Sequence, residues 1–380
     1  MNTEGLKYII VGAGFFGAVM AERIANVLKK SVLVIEKRSH IGGNCYSAID
    51  DQTGIEYHQY GTHIFHTSNE QVWQYINQFT EFNNYRHQVL TTYRDRVYQM
   101  PINLETINSF FNVNLKPFEV DGFLKKYKGD QSIAPSNFEE AAIQSIGRPL
   151  YEAFIKGYTQ KQWQKNPKEM PISVFKRLPI RKNYEESYYY SRWQGIPLEG
   201  YTEIFERLLD HELIDVQLET DFFNLREQLP KDIKIIYSGP IDRYFDYCFG
   251  KLTWRTLDFE FQHHAVGDYQ GTSVMNYAEE QIPYTRIHEP RHLHPERSYN
   301  ADKTLTIKEF SRIDYGDRPF YPIPDEHNQQ LVKQYRALAS QNPNLIICGR
   351  LGDYKYYDMD QTIKRALEVF DEKIKTRSNL

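Results

Sequence analysis

The chain has 380 residues, 41% apolar and 25% charged, enough for two or three domains with a sizeable core. Its formal charge of −4 leaves no electrostatic footprint for nucleic acid or an anionic membrane, so an anionic ligand needs a local cationic pocket. Cys45, Cys248 and Cys348 are far apart with no zinc spacing, as suits a reducing cytoplasm, and neither a secretory leader nor an apolar run near the ~18 residues of a membrane span is expected. The first motif lies at the start. Tyr8-Ile9-Ile10-Val11 is a short strand, Gly12-Ala13-Gly14-Phe15-Phe16-Gly17 follows at once, residues 18–30 carry helical periodicity, and residues 31–35 form a second strand ending on Glu36. Strand, glycine-rich turn, helix, strand and acid form a dinucleotide-binding unit. Gly12 allows the tight turn, Gly14 lets a pyrophosphate approach, Gly17 lets the helix pack closely, and Glu36 accepts from a ribose; the helix N-terminus faces the phosphates.

Glu36-Lys37 is followed after a short interval by Gly42-Gly43-Asn44. This glycine pair resembles the second fingerprint of the FAD-binding superfamily that includes amine oxidases and glutathione-reductase-like flavoproteins, where the chain runs flat along the cofactor. FAD is therefore expected rather than NAD. Next come three histidines, His58, His63 and His66. No carboxylate or cysteine completes a metal set at their spacing, so no metal is expected and a loop against the flavin is the better reading. Residues 69–79 read as a helix and 89–100 as one alternating strand ending at Pro101. Residues 104–157 are helical, broken at Pro117, Gly129, Pro135 and Gly147. Leu150, Phe154 and Tyr158 then fall on one helix face, the spacing of a core stripe, before Thr159-Gln160-Lys161-Gln162-Trp163. Pro167 and Pro171 stop the helix, so residues 164–176 read as a lid between Trp163 and Arg177, with few apolar anchors. The 29 tyrosines and 22 phenylalanines suit a tyrosine-rich core and, secondarily, a site that stacks planar groups and donates to phosphates.

Residues 187–193 are strand-like, and Thr202 reads as a helix N-cap. Short strands follow at 215–218, 233–237, 257–261, 273–277 and 304–311, then an extended proline-rich segment at 319–324. The end mirrors the beginning. Residues 344–350 are a buried strand, and a helix begins at about Asp358. Its N-terminus, aided by Arg350, would face the flavin and stabilise negative charge there. With no second glycine fingerprint and no redox cysteine pair, the flavin serves a substrate directly.

Over nearly its whole length the chain resembles bacterial UDP-galactopyranose mutases. The resemblance is carried by Gly12 to Gly17, the run from Glu36 to Asn44, Tyr60-Gly61-Thr62-His63, Tyr158 to Trp163, Arg177-Leu178-Pro179, Val274-Met275-Asn276-Tyr277, Thr285-Arg286 and Gly349 to Tyr356. Thr62 and Asp353 depart from the common pattern. The resemblance implies an α/β protein with a Rossmann-like FAD-binding domain of discontinuous segments 1–68, 201–250 and 338–380. To this it adds a helical domain at 104–170 and a twisted antiparallel-sheet domain at 69–103, 171–200 and 251–337. It implies an isomerase that interconverts UDP-galactopyranose and UDP-galactofuranose by ring contraction, with N5 of reduced FAD as nucleophile at the anomeric carbon, in a homodimer. Arg177 and Arg286 would take the diphosphate, with Tyr188, Tyr321 and Tyr356 donating to it. Phe154 and Tyr158 would stack on uracil, Thr159, Trp163 and Asn276 would touch the substrate, and His63 would flank the flavin. Gly12, Gly14, Phe15, Gly17, Glu36, Lys37, Gly43, Asn44, Arg350 and Asp358 would hold FAD. The alternatives are an FAD amine oxidase or desaturase, which shares the nucleotide fingerprints but not the arginine–tyrosine set, and a flavin-bearing binding protein without turnover.

Overall fold

A computed structural model describes residues 6–175, 180–230, 232–316 and 318–376. Five parallel strands form the first sheet, in the spatial order Leu345–Ile347, Lys234–Tyr237, Tyr8–Val11, Val32–Ile35 and Ile214–Gln217. Successive side chains leave a strand on opposite faces, so each strand feeds two cores. Ile10, Val34, Ile236 and Ile346 meet the helices Phe15–Leu28, Tyr201–Leu209 and Met359–Val369. Ile9, Leu33, Ile35 and Ile347 meet Phe222, Ile241 and the helix Glu326–Ala339 on the other side.

The second sheet has seven strands, ordered Tyr321–Pro322, Trp254–His264, Thr304–Ile313, Arg286–His288, Val274–Tyr277, Val89–Tyr93 and Arg96–Met100. Pairing is antiparallel except where Met275 lies beside Leu90. A third, helical core gathers Leu104, Ile107, Phe138, Ile146, Leu150, Tyr151 and Phe154. Its longest element spans 148–163. Hydrogen bonding there widens to i→i+5 over Tyr151–Lys156, a π turn, before returning to α over Gly157–Trp163.

Several elements differ from the sequence expectation. The single strand at 89–100 is a hairpin, turning at Arg94 and Asp95, both at positive φ (49° and 57°). The first long helix starts at Phe15 rather than at residue 18, since Gly14 already serves as its cap. Gly200, not Thr202, caps the helix Tyr201–Leu209; Thr202 Oγ1 instead donates to the Ser47 carbonyl at 2.7 Å. The helix Glu70–Ile76 buries Val72 and Ile76 in the core of the parallel sheet, so that core extends past residue 68. Of residues 187–193 only the last is strand, in the segment Trp193–Gly195, which pairs with Phe65–Thr67. The segment expected as a loose lid is anchored as far as residue 175. Pro167, Met170 and Phe175 are buried, and the Phe138 N–H donates to the Met170 carbonyl at 2.9 Å. Arg177, with Lys176, Leu178 and Pro179, lies outside the described residues.

Candidate active site

A cavity of about 860 Å³ opens at the carboxyl ends of the parallel strands, lined by Gly12, Glu36, Ser238 and Gly349, each just past its strand. Ligands of open parallel sheets bind at this edge. Gly14 caps the helix Phe15–Leu28 without a side-chain acceptor, leaving first-turn N–H groups free for an anion. Gly43, at φ +57°, faces Gly14, and a Cβ on Gly43 would come within 3.0 Å of the Gly14 Cα. The two glycines thus lie backbone to backbone in a cradle, with no room for a side chain on Gly43. Gly17 serves packing instead, for its Cβ would lie 1.9 Å from the Gly12 carbonyl oxygen. Glu36 is buried, one oxygen accepting from the Ala13 N–H at 2.9 Å and the other from the Arg38 N–H at 3.0 Å. Each oxygen keeps a lone pair for a ribose hydroxyl.

Phe15, Lys37, Asn44, His63 and Arg350 also line the cavity. Asn44 Oδ1 accepts from Arg38 Nη2 at 2.9 Å, while Arg38 Nη1 is buried without a partner. That orphaned donor, on a residue lining the same cavity as the glycine pair and the bare helix N-terminus, suits a diphosphate ligand. Arg38 carries no signal in the motif beyond following the acid, and sequence reasoning passed over it. Asp358 is not in the lining. It precedes the helix Met359–Val369, where its N–H donates to Gln361 Oε1 at 3.1 Å, while Met359 and Thr362 reach the cavity instead. The three histidines do not converge on one point. The His63 main-chain N–H donates to His58 Nδ1 at 2.9 Å, whereas His66 stacks on Tyr189 and bonds Ser191. Burial, reinforced by the nearby charge of Arg350, holds His63 down to about 4, so it is neutral at ordinary pH.

A charged and phenolic cluster stands beside this cavity. It is built on one row of the second sheet, where Asn276 lies opposite Arg286 and Arg286 opposite Glu309. Directly opposed residues project to the same face. Arg286 Nε lies 3.2 Å from Glu309 Oε1, and Arg286 Nη2 donates to the Tyr158 hydroxyl. Burial alone would lower the arginine's pKa, but Glu309, with Tyr158, Tyr321 and Tyr188 close by, raises it. Burial alone would likewise raise the Glu309 pKa, but Arg286 and the hydrogen bond from His288 Nε2 at 2.9 Å hold it down to about 2. Glu309 was missed in the sequence. Its signal was an acid at an inward position between Ile307 and Ser311 of an alternating strand.

Tyr321 and Tyr356 stack with ring centres 5.7 Å apart, and the Arg350 guanidinium lies 5.8 and 5.1 Å from them. Arg350 thus joins the cavity to the cluster. Tyr188 is half-buried, its N–H donating to the His87 carbonyl. Asn276 Oδ1 is buried without a partner. From the helix at 148–163, Tyr158 reaches Arg286, Thr159 is buried, and Trp163 packs against the helical core. Phe154 is only 3% exposed, with Tyr93, Tyr98 and Phe110 edge-on around it at 5.0–5.8 Å. In this arrangement it is a core residue, and its face is open to a base only if one of these rings turns away.

Comparison with known proteins gives the following matches. Residues 153–356 match the family model for UDP-galactopyranose mutase, and residues 10–79 that for an NAD(P)-binding Rossmann-like domain. A Klebsiella pneumoniae protein named "Probable UDP-galactopyranose mutase" is 44% identical, covering 100% of this chain and 97% of that one. A dTDP-fucopyranose mutase of Escherichia coli is 41% identical over 95% of this chain and 97% of its own. A crystal structure of reduced UDP-galactopyranose mutase superposes with a TM-score of 0.73 at 14% identity, covering 98% of this chain and 94% of that one, a likeness of fold.

Proposed function

The chain belongs to the UDP-galactopyranose mutase family and is an isomerase, and on that premise we propose that it interconverts UDP-galactopyranose and UDP-galactofuranose with FAD in its reduced form. The observation that carries this reading is the convergence of Arg286, Tyr158, Tyr188, Tyr321 and Tyr356 on one another and on Arg350, which also lines the cavity. Cations and phenols in that density suit a diphosphate that gains charge as its bond to the sugar breaks.

FAD fits the cavity through the Gly14–Gly43 cradle, Glu36 at a ribose and the free first-turn N–H groups. When bound and reduced it would supply a nucleophile, its N5, for the anomeric carbon. The chain's residues do the rest. Arg286, and Arg177 by the family resemblance, hold the departing diphosphate within reach. Tyr158 takes the uracil, joined by Phe154 only when one of the rings around it turns away, and His63 offers a neutral ring beside the flavin. An amine-oxidase-like oxidation is not favoured, because it needs an apolar channel rather than this polar cluster.

Anaerobic incubation of dithionite-reduced protein with UDP-galactofuranose, followed by chromatography, should yield UDP-galactopyranose. Oxidised protein should yield none. A parallel arm with dTDP-fucopyranose tests the alternative suggested by the 41% identical relative. Turnover there but not with the UDP sugars would replace the substrate named above.

A further inference from the structure

The polar run between Tyr158 and Trp163 contains one side chain with a demanding environment. Lys161 Nζ donates to the carbonyls of Tyr277, Glu279 and Tyr284 at 2.6, 2.9 and 3.0 Å. These three acceptors use all three N–H bonds of an ammonium. The Glu279 carboxylate is engaged elsewhere, accepting from Gln281 Nε2 at 3.0 Å and the Arg94 N–H at 3.3 Å. Lys161 is therefore held by main-chain carbonyls. One turn earlier on the same helix face, Gly157 admits the same loop, since a Cβ there would lie 2.5 Å from the Ala278 carbonyl oxygen.

Residues 278–285 form the connection between the strand carrying Asn276 and the strand beginning at Arg286, and these two residues are register partners. Three carbonyl dipoles converging on one point repel one another, and a loop with that inward geometry needs a positive charge at its centre. The end of the helix is held again on either side of Trp163. Arg255, fully buried, donates through Nε to the Gln162 carbonyl at 3.1 Å, through Nη1 to Gln164 Oε1 at 3.0 Å and through Nη2 to Ser311 Oγ at 2.7 Å.

We propose that Lys161 is a positioning residue for the nucleotide-sugar site: its ammonium is the internal counter-charge that shapes loop 278–285 and so sets Arg286 and Asn276 against the Tyr158 side of the cleft. The proposal rests on the reading that Arg286 meets the diphosphate. Lys161 touches no substrate atom itself. It acts through the loop, and near-attack geometry at Arg286 depends on that loop. Lys161→Met removes all three donors, whereas Lys161→Gln keeps two N–H groups without the charge.

The test uses FAD-loaded protein and four variants: K161M, K161Q, R286A and the K161M/R286A double. FAD content reports folding, UDP titration reports binding, and turnover of UDP-galactofuranose gives kcat/KM. K161M should keep FAD and lose at least tenfold in kcat/KM and in UDP affinity, with K161Q intermediate. In the R286A background the same substitution should cost less than twofold, because both act through one guanidinium. A general loss of stability would instead lower FAD content and multiply with R286A. Full additivity in the double variant, or K161M and K161Q with wild-type kcat/KM and UDP affinity, overturns the proposal. If K161M does not fold, K161Q against R286A decides in the same way. R286A impaired with both Lys161 variants unimpaired defeats this proposal alone, whereas R286A at wild-type level defeats the diphosphate reading and this proposal with it.

Discussion

Arg286 Nε and Glu309 Oε1 face each other at 3.2 Å across adjacent strands, yet the N–H is not aimed at the oxygen and has no hydrogen-bond partner. The pair is a charge contact without a saturated donor set. Glu309 anchors the guanidinium from behind, and the Tyr158 hydroxyl takes Nη2. Arg286 is therefore charged, oriented and left with donor capacity to spare. That capacity matters most when a diphosphate departs, because charge then appears at the donor.

Arg286→Ala should lower kcat/KM by about ten- to a hundredfold, from ~1.5–3 kcal/mol for a charge-assisted hydrogen bond. Arg286→Lys should recover only part of it, since an ammonium lacks the planar fork. FAD content should stay near wild type, because Arg286 is not among the residues lining the cavity. Steady-state kinetics with UDP-galactofuranose at measured FAD occupancy checks this. Full turnover by Arg286→Ala would remove it from the diphosphate.

Gly14→Val should give a folded protein that does not retain FAD. Gly14 has ordinary backbone angles, with φ at −80°, and the nearest atom to an added Cβ is the Gly43 Cα at 3.7 Å. The protein thus tolerates a side chain there, while a pyrophosphate seated against Gly14 would not. Absorbance near 450 nm and FAD released on denaturation are the measurements. Stoichiometric FAD in this variant would mean the cofactor lies elsewhere.

Phe154→Ala should destabilise the fold by about 3–5 kcal/mol, the usual cost of emptying a buried phenylalanine site. It should also raise KM if one of the surrounding rings turns away to let the uracil stack on Phe154. Tyr158→Ala, at a less buried position, should raise KM with a smaller stability loss. Urea denaturation beside kinetics separates the two effects. An unchanged midpoint for Phe154→Ala would show that its site is not part of the core.

Stability should fall as the pH drops from about 6.5 towards 3. Burial, with the charge of Arg286, holds His87 down to about 3, and His63 sits at about 4. Between those values and 6.5 the unfolded chain binds protons that the folded one refuses, so acid favours unfolding. For buried His87 this amounts to roughly 1.4 kcal/mol per pH unit. Glu309, held down to about 2 from an ordinary 4.5, adds to the loss only below about pH 4.5, where the unfolded carboxyl takes up a proton that the folded one refuses. Urea titrations at pH 7, 6, 5 and 4 should show the slope, and His87→Gln should flatten it. Identical slopes for wild type and His87→Gln would exclude this source.

The nucleotide-binding unit was readable because its signals are local, with period-two strands, a period-3.6 helix and glycines at fixed offsets within one short segment. What was hidden depended on distant partners. The hairpin at Arg94 and Asp95 turns without a glycine, so nothing marked it. Two prolines made 164–176 look like a loop, although Met170 and Phe175 anchor it in a core assembled from residues far earlier in the chain. Thr202 looked like a cap but bonds Ser47, 155 residues away. In the site, Arg286 and the tyrosines were visible through the family resemblance. Glu309, Arg38 and the Lys161 contacts became visible only once the strands were paired, because their meaning lies in which carbonyl or guanidinium they face.

The π turn at Tyr151–Lys156 has a hereditary consequence. Such a turn accommodates one residue more than an α-helix of the same length, with the flanks kept in place. Here both flanks are fixed, by Leu150 in the helical core and by Gly157 against the loop at Ala278. A single-codon deletion within this segment should therefore be absorbed by reversion to an α turn, whereas the same deletion after Gly157 would swing Tyr158 and Lys161 off their partners. Length variation among descendants of this gene is expected to concentrate there, changing which ring stands at position 154 while leaving the arginine cluster untouched.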